Sequence, residues 1–421
     1  MAGFIFEEGT QAQATALAAG DTLVFSTLAP TDITVTLNEA SGLQVATVTL
    51  AGGGQTLTFA ADTLADASTL FVATGGQIII GSDVADTLSS TTDGGNSVIA
   101  FAGDDKITVA GDGDHLVHGD DGDDSISITG GAGNFVIFGD DGDDTVSNVG
   151  STGALYISGG LGGDTLAGGS GNDHIYGNVV APSGTVDDGA DVITAGAGND
   201  YVNGNAGDDT IDGGAGNDRL LGGAGDDSIV GGTGLGNDSI NGNKGEDIID
   251  GGAGNDSLRG GADDDTVSGG IGNDIVQGDK GDDVISGGTG ADVLSGGEGE
   301  DVFVFEAGDA AEITIGTGKY YDVITDFSVE DDLIDLGSAP SDVLHVVSGT
   351  VTNTFAAAKA AAQALITAGD DSDIAAVTVG TDTYLFYDSD TLTTPGVIDS
   401  YIKLIGINAA DITADSFVAV A

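Results

Sequence analysis

Aspartate recurs through the middle of this chain at a spacing too regular for chance. One series runs Asp86, Asp105, Asp124, Asp144, Asp164, Asp191, Asp209, Asp227, Asp247, Asp265, Asp283 and Asp301. A second begins later and runs Asp173, Asp200, Asp218, Asp238, Asp256, Asp274 and Asp292. Each carboxylate follows a glycine-rich run such as GGAGND or GGAGDD and stands two residues before a large aliphatic side chain. Glycine lets the backbone turn sharply and bring its carbonyl oxygens close without a Cβ in the way. Carboxylates and carbonyls together form an all-oxygen donor set, the kind calcium takes with six to eight ligands at about 2.3–2.6 Å.

From Gly159 to Val304 the pattern is a nine-residue unit, G-G-x-G-x-D-x-U-x with U aliphatic, as in GGSGNDHIY, GGAGNDRLL, GGAGDDSIV and GGEGEDVFV. A fixed short period is the mark of a solenoid, and about fifteen units match closely. On these residues the chain resembles the RTX family of secreted calcium-binding proteins. The resemblance implies a parallel β-roll in which two nonapeptides make one turn, so that the two aspartate series lie on opposite edges. It also implies that each calcium lies between consecutive turns and is shared by their aspartates, Asp209 with Asp227 and Asp218 with Asp238. The aliphatic residue after each aspartate (Ile211, Leu220, Ile229, Ile240, Ile249, Leu258, Val267, Ile285) is expected to point inward.

From 81 to 158 only one edge has its aspartates. The equivalent places on the other edge are expected at Asn96, His115, Phe135 and Leu155. A second difference separates the edges further along. The residue just before the aspartate is acidic on the first edge (Asp208, Asp226, Glu246, Asp264, Asp282, Glu300) and asparagine on the second (Asn172, Asn199, Asn217, Asn237, Asn255, Asn273).

The whole is expected to be all-β: a small β module over 1–76, the roll over 77–304, and a β-rich cap with one helix over 305–421. Alternating Thr and Val in DITVTL and VATVTL mark half-buried strands in the first part. That module is read as an end cap or as an anchoring or assembly unit. TFAAAKAAAQALITAG reads as the helix, with Gly369 as its stop. Before it, YYDVITDFSVEDDLIDLG resembles the exit segment that ends RTX rolls. The acidic and then apolar ending NAADITADSFVAVA resembles the uncleaved C-terminal signal read by type I secretion machinery.

Charge decides what the chain does not pair with. There are 69 acidic residues against 8 basic ones, a formal net charge of -61, which excludes a nucleic-acid partner. If roughly fifteen calcium ions bind at two charges each, they offset about half of that charge. Metal binding and folding are then one process: a chain unfolded and exportable at low cytosolic calcium, folded in millimolar calcium outside the cell. There is no cysteine, so disulfides and thiolate chemistry are out. The start MAGFIFEEGTQ has no basic n-region, and no segment has the length of a membrane-spanning helix. None of His115, His118, His174 and His345 lies in H-E-x-x-H, and no G-x-S-x-G elbow or EF-hand loop occurs. His115 and His118 are read as surface or replacement residues of the calcium-free edge rather than as a zinc pair.

No catalytic residue is expected, and the chain is read as a non-enzyme. The leading expectation is a secreted structural protein of the cell surface that self-assembles into an S-layer or matrix filament. Its expected partners are further copies of itself, a cell-surface glycan or lipopolysaccharide, and the type I secretion apparatus. The alternatives are an adhesin-like glycan- or ice-binding roll using the asparagine edge, and a polysaccharide lyase or epimerase bearing RTX modules.

Overall fold

The computed structural model describes residues 77–81, 83–90, 93–178, 189–306, 318–336, 374–387 and 400–418, together with the short elements named below. The chain divides into two compact units, Met1–Gly207 and Asp208–Ala421. Each is built on an all-β parallel solenoid, with very little helix.

In the first unit, one sheet stacks Gln77–Ile80, Ser97–Ile99, His115–Asp121, Phe135–Asp141, Leu155–Leu161, His174–Tyr176 and Tyr201–Ala206, every neighbour parallel. The facing sheet stacks Thr87–Ser90, Lys106–Val109, Ser125–Thr129, Thr145–Val149, Thr165–Gly169 and Val192–Ala197. Side chains alternate across a strand, so one residue in two faces inward. In-register pairing then builds two aliphatic columns. One is Leu88, Ile107, Ile126, Val146, Leu166 and Ile193; the other is Val98, Val117, Ile137, Ile157, Ile175 and Val202, all buried.

Thr34–Asn38, Thr47–Gly52 and Gln55–Ala60 form an antiparallel meander. Gly3–Ile5 pairs parallel with Thr22–Phe25, which pairs parallel with Leu70–Val72. Leu70–Val72 in turn pairs antiparallel with Gln77–Ile80, so the N-terminal strands join the edge of the roll.

In the second unit the columns are Ile211, Ile229, Ile249, Val267, Ile285, Phe303 and Ile334 on one side, and Leu220, Ile240, Leu258, Val276, Leu294, Ile324 and Leu404 on the other. The stack therefore runs past Val304. Asp322–Ile324 and Leu333–Asp335, both from the exit segment, add a rung to each sheet. The C-terminal pieces add another: Ser400–Leu404 pairs parallel with Asp322–Ile324, and Phe417–Val418 with Leu333–Asp335.

Ile374–Val379, Asp382–Tyr387 and Ser400–Leu404 form an antiparallel sheet, covered by the Phe355–Gln363 helix. Ala358 and Ala362 are fully buried against Ala375, Val377, Phe386 and Tyr401. Small residues on that face let the helix lie close to the sheet, and the Phe355 ring packs 4.6 Å from that of Tyr401. The expected stop at Gly369 lies outside the described residues. No described helix is long and apolar enough to cross a membrane.

Candidate metal centre

Each aspartate of the two series immediately precedes a strand, at the edge where the chain turns from one sheet to the other. Asp105 stands before Lys106–Val109, and Asp227 before Ser228–Val230. The side chains do not point to solvent. Asp105, Asp124, Asp144, Asp227 and Asp265 are at most 2% exposed, and Asp283 is fully buried. Only Asp86, on the first turn, is half-exposed.

The carboxylates form ladders. Oδ1 of each aspartate accepts the backbone N–H of the aspartate one turn earlier on the same edge. On the first edge the Asp105 N–H donates to Asp124 Oδ1 at 2.7 Å, Asp124 to Asp144 at 2.8 Å and Asp144 to Asp164 at 2.8 Å. In the second unit Asp209, Asp227, Asp247, Asp265, Asp283 and Asp301 repeat this bond in turn. The second edge does the same through Asp218, Asp238, Asp256, Asp274 and Asp292. Insertions leave the ladder intact. Asp173 still bonds Asp200 across 27 residues at 2.7 Å. The two extra residues of GGTGLGND, which leave Leu235 89% exposed, keep the Asp218–Asp238 bond at 2.8 Å.

Oδ2 is the chemically telling atom. In Asp105, Asp124, Asp144, Asp173, Asp227, Asp247, Asp256, Asp265, Asp274 and Asp283 it is buried and makes no hydrogen bond. An uncompensated buried carboxylate is among the costliest groups a fold can hold, so a cation is the expected partner. The surroundings fit calcium. A methyl placed on Gly222 would lie 2.1 Å from Asp227 Oδ2 and 2.9 Å from the Gly242 carbonyl oxygen of the next turn. At Gly278 it would meet Asp283 Oδ2 at 2.1 Å and the Gly296 carbonyl at 2.6 Å. The glycine is therefore required by close approach, and it leaves a cradle of hard oxygens from two turns. The residues suited to hold calcium are these aspartates together with the turn carbonyls.

Burial, and secondarily neighbouring carboxylates, push these acids far above their ordinary value of 3.8. Asp144, Asp227 and Asp265 rise to about 8, Asp124 and Asp283 to about 7, and Asp105, Asp173, Asp247, Asp256 and Asp301 to about 6. Carboxyls with a pKa higher folded than unfolded stabilise the metal-free roll below the unfolded value. That contribution is lost as pH climbs through the folded values. In chelator, β-structure followed by circular dichroism is thus expected to persist at pH 5 and to be lost between pH 6 and 8. Calcium added at pH 7 should release protons, and more of them than at pH 9. A chelated roll whose stability rises with pH would contradict this.

The calcium-poor edge of the first unit is rebuilt with other chemistry. His115 occupies the aspartate place: its Nδ1 accepts the Asn96 N–H at 3.3 Å and lies 2.9 Å from Asn96 Nδ2. Its Nε2 faces the Gly111 carbonyl at 3.4 Å, and the ring stacks on Phe135 at 4.5 Å. Burial lowers the His115 pKa, which favours the neutral ring this pattern needs. Phe135 and Leu155 fill the next two places, and the carboxylate ladder starts where Asp173 Oδ1 takes the Leu155 N–H at 2.8 Å. His118 faces the opposite way from His115 and is half-buried, so the two do not converge on one ion.

The acidic and asparagine rows have a shared structural duty. Where Asp or Asn precedes the series aspartate, its Oδ1 accepts the N–H of the matching residue one turn later, opposite in direction to the inner ladder. Asp208 takes the Asp226 N–H at 2.9 Å, and Asn237 takes that of Asn255 at 2.7 Å. Asp123 and Asn273 act likewise. The place asks for a short side-chain oxygen, and Asp and Asn both supply it; charge is free to differ between the edges.

Two residues of the same kind were not legible as repeats. Asp322 Oδ1 accepts the Asp292 N–H at 2.9 Å, and Asp332 Oδ1 accepts that of Asp301 at 3.2 Å. Asp332 also takes the Ser328 N–H with Oδ2 at 2.8 Å, which closes that edge. The glycines are gone here, but the signal that could have found them remains: an aspartate two residues before an inward Ile324 or Ile334.

The sequence profile of the RTX calcium-binding nonapeptide repeat matches residues 156–179, 185–220, 204–235, 221–258, 233–267 and 268–303. The chain thus carries RTX calcium-binding repeats folded as a parallel β-roll, consistent with an RTX protein. Two solved structures are similar over part of it, both from the mannuronan C5-epimerase of Azotobacter vinelandii. The AlgE6R3 subunit is 28% identical, with 41% of this chain and 80% of that one covered at a TM-score of 0.26. The AlgE6R2 subunit is 25% identical, covering 39% and 89% at a TM-score of 0.25. No curated protein matches the chain.

Proposed function

We propose that this is a secreted structural protein that folds on calcium outside the cell and self-assembles there into a surface layer or extracellular matrix. The observation that carries the calcium-dependent part is the row of buried carboxylates with an unbonded Oδ2. The series aspartates hold the ions, each shared between consecutive turns, and a calcium-poor compartment leaves the chain unfolded. Self-assembly is supported by the outer surface of the second unit, where Ile248 is 60% exposed and Ile271 64%, with Ile275 and Val293 adjacent in register and both exposed. Ile275 and Val293 share one sheet, Ile248 lies on the facing sheet and Ile271 on a short turn pairing, so exposed aliphatics are available on more than one side for contact with a second copy. Export by type I machinery and attachment to a cell-surface glycan or lipopolysaccharide complete the reading.

The glycan- or ice-binding alternative loses support from the asparagine row. Its Oδ1 atoms are taken by backbone N–H groups, and the Asn255 and Asn273 amides donate within the row at 3.2 and 3.0 Å. Negative-stain microscopy decides assembly. Ordered sheets or fibres are expected in millimolar calcium, dissolving on chelation. Monomers alone at high concentration in calcium would overturn the structural reading and leave calcium-dependent folding standing.

A further inference from the structure

We propose that His118, Asp120 and Asp140 form a separate site for one divalent transition-metal ion on the outer face of the first unit. Their candidate ligand atoms all lie within 4.8 Å of one another. His118 Nδ1 is 3.0 Å from Asp140 Oδ2, and Asp120 stands in register with Asp140 on the neighbouring strand. His118 is in register with Phe138 and its ring stacks on it at 4.7 Å and 15°, which fixes the imidazole plane. An outward imidazole is thereby held beside two carboxylates from successive turns.

These residues are not part of the carboxylate ladders. Each aspartate lies four residues before a series aspartate, Asp124 or Asp144, at a place where the next turn has Gly160. Glycine meets the backbone requirement there, with φ +129° at Gly160 against +67° at Asp120 and +80° at Asp140. The two carboxylates are therefore not needed to make the turn. Asn205, Asn243, Asp279 and Gly223 take the corresponding place further on, and among the described residues only the turns at 120 and 140 combine two acids with a histidine.

The donor set selects the ion. An imidazole nitrogen with two carboxylate oxygens suits zinc, cobalt, nickel or copper, whereas calcium and magnesium prefer oxygen alone. The side chains of His118 and Asp140 are 31% and 37% exposed, so remaining coordination positions open to water or to a ligand from outside. The site uses none of the ladder aspartates as ligands and does not depend on assembly, although Asp120 and Asp140 are close enough to act electrostatically on Asp124 and Asp144.

Cobalt(II) is the probe, added to the full chain already saturated with calcium, with visible ligand-field absorption and calorimetry as readouts. One tightly bound cobalt per chain is expected, persisting in excess calcium. His118→Ala and Asp140→Asn, made separately, should each weaken it by at least about tenfold. Asp140→Asn keeps the side-chain shape, and circular dichroism in calcium reports the fold of both. His174→Ala, which removes an exposed histidine outside the cluster, should leave binding unchanged. No cobalt binding above calcium saturation would overturn the proposal and leave a surface ion pair. Binding untouched by either variant, or displaced one-for-one by calcium, would also overturn it.

Discussion

Chelation of calcium at pH 8 is expected to unfold the roll rather than merely empty it. The stacked turns bury one series aspartate per turn along each ladder, and at that pH those near 6 and 7 are ionised and those near 8 (Asp144, Asp227, Asp265) are about half ionised. Like charges then face each other along each ladder, with Asp227 between Asp209 and Asp247, and no cation to offset them. The aliphatic columns of the second unit cannot compensate, since strands there such as Thr210–Ala215 and Ser228–Val230 are short and contribute one inward aliphatic each. Small-angle scattering should show the radius of gyration rising towards the ~75 Å expected of an unfolded chain of this length. Far-UV circular dichroism should lose its β signature in step, and calcium should restore both. A chelated protein that keeps its compact β-structure at pH 8 would show that the buried carboxylates are tolerated without metal.

Gly254→Ala is expected to be among the most damaging single methyls in the second unit. A Cβ there would lie 1.5 Å from the Gly236 carbonyl oxygen and 2.8 Å from Asp256 Oδ1. The obstacle is the backbone of the turn below, and it is fixed by that turn's own neighbours, so a rotamer change cannot relieve it. Gly272 and Gly290 meet the equivalent carbonyls on the next rungs, those of Gly254 and Gly272, at 1.4 Å each. The cost belongs to the exceptional class, on the order of 4 kcal/mol or more. It should appear as a lower melting temperature in calcium and a raised calcium requirement for folding. Gly130→Asn is the matched control: φ is +77°, nothing lies within 4 Å of the added Cβ, and asparagine tolerates that backbone. A loss of about 1 kcal/mol or less is expected there. Equal effects from the two substitutions would mean that turn spacing is not set by glycine contact.

The repeat made the roll legible because its period carries three requirements at once: a bend, a carboxylate and an inward aliphatic. Asp227 with Ile229, or Asp256 with Leu258, can be placed from spacing alone. The altered turns were also legible, since Asn96, His115, Phe135 and Leu155 fall where counting from Asp173 puts them. Asp322 and Asp332 were not, because the exit segment keeps the carboxylate and the aliphatic but drops the glycines. The period therefore stops while the stack goes on.

The sequence by itself determined which residues must lie at edges and which in the core, because both follow from a nine-residue count along one chain. Only the tertiary structure decided what lies between turns. That Oδ1 of the ladder aspartates is spent on a backbone N–H, and that Oδ2 of ones such as Asp173 and Asp227 is left for a cation, depends on stacking across 18 to 27 residues. So does the meeting of His118 with Asp140, which come from successive turns of the same sheet. Distances across a ladder are set by interstrand hydrogen bonding, and no single repeat contains its neighbour.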